Sequence, residues 1–409
     1  MRHVKRMFLF VLFFLAAGMF AKSNVYAIDY SGQYEEAEAA ILEAWESQET
    51  ELDVTDMGLT YEMITDFYQW MVCRYPEHFY VGKRFGMTKS GNAANSPLLT
   101  LEMEYKYSSA KIKSMKAKLD KTVKRILKDV DPAWSDMDKA LYLHEYLCLN
   151  CEYDSTLTKA TIYDCLVGKK AMCQGYAMAY QYLLEQMDVS CECVKSDMLN
   201  HMWNMLKIGK KYYMVDVTWD DPVTDRPGRA KHNFFLKSYA YFMSDGKHNA
   251  TDWAAFGPAG VSKASAKGLD TCSWNKIDTP FCRIGNAWYA FDGGKAISRY
   301  VIQKNKLKKS KKLLTISDTW YVWGDSRSYY QDKYVSVAVY KNKLYYSTPQ
   351  SVCCLNVKNG KTKVVYRLSA SQKKKGYIYA MTVTPQGKLK LLLGTSINNP
   401  TGTVTAKSL

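Results

Sequence analysis

Beyond its first 27 residues the chain contains no run approaching ~20 apolar residues, so nothing there can span a bilayer as a helix. A Cys-x-x-Cys occurs once, at Cys148 and Cys151, and no second one follows. The other close spacings, Cys191-x-Cys193 and Cys353-Cys354, are too scattered for a recognisable zinc pattern. Helical periodicity disappears from about residue 270 onward, which excludes an all-helical chain. Acids are nearly missing from residues 301–409: Asp318, Asp325 and Asp332 stand against 20 Lys and Arg.

What is present is the composition of a globular protein, 47% apolar and 23% charged over 409 residues. That length suggests two or three domains. The formal charge of +16 is unevenly spread. Residues 301–409 carry a net +17, and residues 28–300 a net −5. Four cations and no acid fall in residues 1–27. There Arg2, Lys5 and Arg6 precede an apolar stretch, Met7 to Phe20, and Val25-Tyr26-Ala27 offers small residues for cleavage. Residues 1–27 therefore read as a signal peptide and the protein as secreted, or held at the cell surface. Export, and the lack of a recognised motif, argue against a nucleic-acid partner.

Residues 28–131 read as a helical N-terminal region. Tyr34 to Gln48 is rich in Ala, Glu and Leu, and Thr60 is placed to cap a helix through Met63, Ile64, Phe67 and Met71. A long helix from about Ser109 to Val130 has an apolar stripe and a lysine-rich opposite face. Ser135 and Asp138 predict a helix over 136–150. Shorter helices are expected near 161–167 and from Cys173 to Met187. Strands follow at 191–195, 201–208 and 211–219, in a core region of 132–260. Residues 270–409 read as a β-rich, basic accessory domain. Within it, "GNAWYAF" at 285–291 and "KNKLYYS" at 341–347 look like two copies of one hairpin unit, 56 residues apart. That spacing is near the length of a propeller blade, so a partial propeller is one form this domain could take.

Three stretches in the middle carry chemistry: "MCQGYAMAY" (172–180), "NHMWNMLKI" (200–208) and "YYMVDVTWDDP" (213–222). If Gly209-Lys210 forms a two-residue hairpin loop, Ile208 faces Lys211 and paired numbers sum to 419. His201 then lies opposite Thr218, and Asp216 shares its face as a diagonal neighbour about 7 Å away at Cα. A three-residue loop would destroy this parity. Cys173 at a helix N-terminus meets unpaired N–H groups and a dipole that favour the thiolate. An imidazole beside it completes a nucleophile, and a carboxylate on the other ring nitrogen fixes the tautomer. The backbone N–H of Cys173 is a natural oxyanion donor. The chemistry is acyl transfer through a thioester.

This combination resembles the transglutaminase-like (papain-like) thiol enzyme superfamily, in its secreted bacterial form. The resemblance covers roughly 130–245, and more loosely 50–80. It rests on "DKALYLHEYLCLNCEYD" (138–154), "GKKAMCQGYAMAY" (168–180), "HMWN" (201–204), "YYMVDVTWDDP" (213–222) and "HNFFLKS" (232–238). Met172 and Met202 depart from the pattern without removing a catalytic group. The resemblance implies an α+β fold with a nucleophile helix packed on an antiparallel sheet. It implies a triad of Cys173, His201 and Asp216, a protein or peptide substrate, and neither cofactor nor metal. Gln174, Trp203, Asn204, Trp219, Asp220, His144 and Tyr153 are expected to line or support the cleft. His78, His232 and His248 have no partner visible in the sequence.

The other ten cysteines are an even number, which fits pairing with Cys173 left free. The lysine runs at 304–312 and 373–375 suit docking to an anionic wall polymer or membrane surface, or simply a soluble basic β domain. The reading from a different class is a noncatalytic binding module on a retained fold.

Overall fold

The helix start at Ser135 and the Gly209-Lys210 hairpin turn recur in the computed structural model, which describes residues 5–10, 26–223, 225–384 and 386–409. The chain is mixed α and β with several sheets, arranged as two compact units. The first is built from residues up to Pro132, Asp154–Val215 and Lys237–Lys267; the second from Ala133–Tyr153, Asp216–Leu236 and Gly268–Leu409. The stretch 132–260 thus contributes to both.

In the first unit, chain order runs β1 (Lys5–Phe10), β2 (Tyr26–Ile28), α1 (Glu35–Ser47), β3 (Glu51–Asp53), α2 (Ile64–Arg74), β4 (Val81–Lys89), β5 (Leu98–Tyr105) and α3 (Ser109–Leu127). After α4 and β6, introduced below, come α5 (Ile162–Leu166), β7 (Lys170–Ala171), α6 (Cys173–Glu185), β8 (Cys191–Ser196), β9 (His201–Ile208) and β10 (Lys211–Val215). One sheet has the order β1-β4-β5-β3; the other, β10-β9-β8-β11-β2, includes β11 (Ala254–Phe256). Residues 28–131 are therefore not purely helical: β3, β4 and β5 form a sheet there. Lysines and glycines within Val81–Lys89 hide the strand signal, since neither residue type is a strand former. The α2 helix begins at Ile64 with Met63 as its cap, and Thr60 contributes only its carbonyl, to Ile64 N–H at 3.2 Å. Of the expected leader, residues 1–4 and 11–25 lie outside the described residues. Among the described residues no helix is long and apolar enough to cross a membrane.

A helix packed on one side only would bury a single stripe. The α6 helix is instead buried on all sides from Cys173 to Gln181, because α5 packs on it as well as β8 and β9. Gly175 permits this closeness. A Cβ there would stand 2.8 Å from the Ala171 Cβ and 3.1 Å from the Thr161 carbonyl. In the hairpin, Lys211 pairs with Ile208 and Val215 with Asn204, the expected register with its two-residue loop. Gly209 takes φ +60°, as that tight turn requires.

In the second unit, α4 (Asp136–Asn150) starts from Ser135, whose Oγ accepts from Asp138 N–H at 3.2 Å. β6 (Glu152–Tyr153) and α7 (Val217–Asp220) follow, then thirteen strands. These are β12 (Cys282–Ile284), β13 (Ala287–Phe291), β14 (Ala296–Gln303), β15 (Lys306–Thr315), β16 (Tyr321–Val322), β17 (Asp325–Tyr329), β18 (Val337–Tyr340), β19 (Lys343–Ser347), β20 (Ser351–Leu355), β21 (Thr362–Arg367), β22 (Tyr377–Val383), β23 (Lys388–Ser396) and β24 (Asn399–Ser408). The short α9 (Ala370–Lys373) precedes β22, and α8 (Tyr239–Ser244) belongs to the first unit. The sheets are consecutive antiparallel meanders: β12-β13-β14-β15, β18-β19-β20-β21 and β22-β23-β24, with β16-β17 a separate pair. The two look-alike hairpins are β12–β13 and β18–β19, each opening a four-stranded meander. The first strands β12, β18 and β22 pack side by side in that order, in the manner of blades. Trp320, Phe291, Leu344 and Tyr379 fill the core between them. Arg283 and Trp288 Nε1 both bond Asp138, tying α4 to the first meander. β15 is an edge strand whose lysines are solvent-exposed.

Candidate active site

Two sets of site residues emerge, one in each unit. In the first unit, Cys173 is the first residue of α6 and only 2% exposed. Its N-cap, Met172, has extended backbone, so the opening N–H groups of α6 lack acceptors within the helix. The α6 helix is held to β9 by Asn204, whose Nδ2 donates to the Ala177 carbonyl at 2.9 Å. Ala177 lies one turn beyond Cys173, and His201 lies three residues before Asn204 at the mouth of β9. Asn204 thus links the segments that hold Cys173 and His201.

His201 pairs across the sheet with Ser196. The turn between them is fixed by Asp252, which accepts from Ser196 Oγ at 2.5 Å and Met198 N–H at 2.8 Å. The His201 ring is stacked on Trp203, with centroids 5.7 Å apart, and lies 5.7 Å from the ring of His248. His248 has no partner visible in the sequence. It is fully buried, and its Nδ1 lies 2.7 Å from Asp245 Oδ2. Burial raises the Asp245 carboxyl, yet the bonds from His248 and from backbone N–H groups outweigh this and hold it below the usual range. The Asp-x-x-His spacing was the available signal, and only the fold brings it to His201. Gln174 is buried, with Nε2 3.6 Å from Met178 Sδ.

In the second unit, Asp216 immediately follows β10 and is fully buried. The strand expected over 211–219 stops at Val215. Asp216 turns the chain by accepting Trp219 N–H on Oδ1 at 3.0 Å, which starts α7. Its own N–H donates to the Phe234 carbonyl at 3.1 Å. Trp219 is exposed, whereas Asp220 is fully buried. Asp220 accepts Phe234 N–H at 3.1 and 3.2 Å and faces His144 Nε2 at 3.2 Å. Tyr153 is half-buried at the end of β6.

His144 therefore braces the turn that presents Asp216. Burial opposes charge on His144, but Cys148, Asp220 and Glu145 together raise its pKa well above 6.5. Beside it, His232 Nε2 lies 2.5 Å from Glu145 Oε1, and His232 Nδ1 lies 2.8 Å from the Ile277 carbonyl. His232, whose partners are likewise not visible in the sequence, is thus doubly bonded. Burial works against the Glu145 carboxylate, yet the neighbouring imidazoles hold it below the usual range. His144, Glu145 and His232 could each offer one ligand atom to a metal ion, all within 4.8 Å of one another. The Cys148 thiol is pushed up to about 12 by burial, so Cys148 is not an activated thiolate.

No protein-family model matches the chain, and neither does any curated protein. Solved structures give partial likenesses. One is a TGase, 12% identical with a TM-score of 0.23, covering 36% of this chain and 46% of that one. Another is a candidate cysteine protease from Cytophaga hutchinsonii, 16% identical, TM-score 0.23, covering 34% and 59%. The arylamine N-acetyltransferase of Mycobacterium marinum is 10% identical, TM-score 0.23, covering 63% and 89%. The chain spans about half the length of the first two. TM-scores this low leave the chain's own geometry to carry the reading.

None of the eleven cysteines, Cys173 among them, forms a disulfide, so parity does not single out Cys173. Its position at the head of α6 does.

Proposed function

We propose that the protein is a cysteine-nucleophile acyl-transfer enzyme of transglutaminase-like type, acting on amide bonds of a protein or peptide. The observation that carries this reading is the placement of Cys173 at the N-terminus of a buried helix clamped to the strand that begins with His201. His201 takes the Cys173 proton, and the thiolate attacks the carbonyl carbon. The backbone N–H of Cys173 donates to the developing oxyanion. The C–N bond breaks as His201 returns the proton to the leaving amine, and a thioester remains. Water or a second amine then attacks the thioester, giving its proton to His201, which passes it back to sulfur. The sequence pattern assigns Asp216 to this triad as the carboxylate that would fix the tautomer of the histidine. Action outside the cell, with docking to an anionic surface through the basic β region, belongs to the same proposal. It is supported by the N-terminal sequence and the +17 of residues 301–409.

The test is labelling with a thiol-directed electrophile across pH, with Cys173→Ala as control. Selective labelling of Cys173, faster than that of a free thiol, is expected. Labelling no faster than a free thiol would sink the enzyme reading in favour of a noncatalytic module. A glutamine peptide with an added amine then separates hydrolysis from amine transfer.

A further inference from the structure

The C-terminal end of α6 borders a second concave site, twelve residues and about 18 Å along the helix from Cys173. It is a cleft of about 480 Å³ within the first unit. That size falls in the range of small-ligand sites. Aromatic side chains, Trp70, Tyr75, Tyr182 and Phe256, form part of its wall, and the carboxylates of Glu77, Glu185, Glu192 and Asp29 form much of the rest.

Glu192 is the decisive residue. It is 6% exposed, its Oε1 accepts Ala259 N–H at 3.1 Å, and its buried Oε2 has no hydrogen-bond partner among the described residues. An orphaned buried carboxylate oxygen is costly, and a cationic donor would relieve it. Gly257 makes room for it: a Cβ there would stand 2.5 Å from the Glu192 carboxyl carbon. The wall also shows what it accommodates. The Arg74 guanidinium sits 5.6 Å from the centroids of both Trp70 and Tyr75. Its own charge is engaged by Glu38 at 3.5 Å and also acts on Glu185, and the lining holds no second cation for Asp29, Glu77 and Glu192. A bare divalent ion needs oxygen ligands and gains little from aromatic faces, whereas an organic cation uses both.

We propose that this cleft binds an organic cation of the amine or guanidine class with a short aliphatic body, with Glu192 as its buried counter-ion. This is independent of the chemistry at Cys173.

Burial raises the Glu192 carboxyl to about 7, with Asp29 and Glu185 adding to the rise and Lys263 opposing it. A cation must draw it into the ionised form, so affinity rises with pH from 5.5 to 8.

The test is calorimetric titration of the full chain with agmatine and putrescine, and with calcium chloride and a neutral diol as comparators. Saturable binding of at least one amine is expected, weakened about 10-fold or more in Glu192→Gln and retained in Cys173→Ala. Gly257→Ala, which displaces the carboxylate without removing its charge, weakens it as well. Glu185→Gln, at an exposed position, weakens it less and serves if the Glu192 variant does not fold. The proposal is overturned by no saturable binding of either amine, by undiminished binding in Glu192→Gln or, where that variant does not fold, in Glu185→Gln, or by calcium binding in preference to both amines.

Discussion

Asp220→Ala removes the acceptor on which the turn around Asp216 is hung. Two buried donors lose their partner, the Phe234 N–H at 3.1 Å and His144 Nε2 at 3.2 Å. Each unsatisfied buried donor costs about 1–3 kcal/mol, giving a loss of about 2–6 kcal/mol. Breaking a buried charged pair, with both side chains fully inaccessible here, commonly costs about 3–5 kcal/mol. Asp220→Asn keeps an acceptor for Phe234 and loses mainly the attraction to His144, so about 1–3 kcal/mol is expected. The loss also has a pH signature. His144 is held above its ordinary 6.5 in the folded state. Its charged interaction therefore stabilises fully below about 6.5 and fades as pH climbs through the raised folded value. The penalty for Asp220→Ala is largest at pH 6 and smaller at pH 9. Urea unfolding followed by tryptophan fluorescence at both pH values measures it. An Asp220→Ala protein within about 0.5 kcal/mol of the parent at pH 6 would refute the brace.

Gly175→Ala forces a Cβ to within 2.8 Å of Ala171 and 3.1 Å of the Thr161 carbonyl. A loss of about 1–3 kcal/mol in thermal unfolding is expected, together with slower Cys173 labelling as α6 shifts. His248→Ala empties a fully buried ring position between Phe242, Trp203 and His201. About 2–4 kcal/mol of stability should go with it, and an unchanged pH profile of Cys173 labelling would show that His248 does not bear on His201.

Legibility in the sequence followed the range of the interaction. The α4 start was readable because Ser135 and Asp138 are three residues apart, and the β9–β10 register because a two-residue loop leaves one pairing. Asp216 was misplaced within a strand because Val215, Val217 and Thr218 are β-branched; its local cap to Trp219 N–H won over that propensity. His232 and Glu145, which bond each other, are 87 residues apart, and no spacing rule reaches that far. His248 was missed although Asp245 is three residues away, because its meaning depends on the distant ring of His201. The lysine run at 304–312 reads in the sequence as a docking surface or simply as part of a basic β domain, and its lysines from 306 to 312 lie along one strand.

That strand, β15, is the open edge of its sheet, and its pairing with β14 is interrupted by two register shifts. An unpaired row of backbone donors and acceptors is a template on which a second chain can add itself as a further strand. Five lysines in seven residues, Lys306 to Lys312, set on a bulged edge, repel that second chain and spoil its register. The concentration of positive charge thereby acts as a guard against self-assembly, one that added salt would weaken by screening.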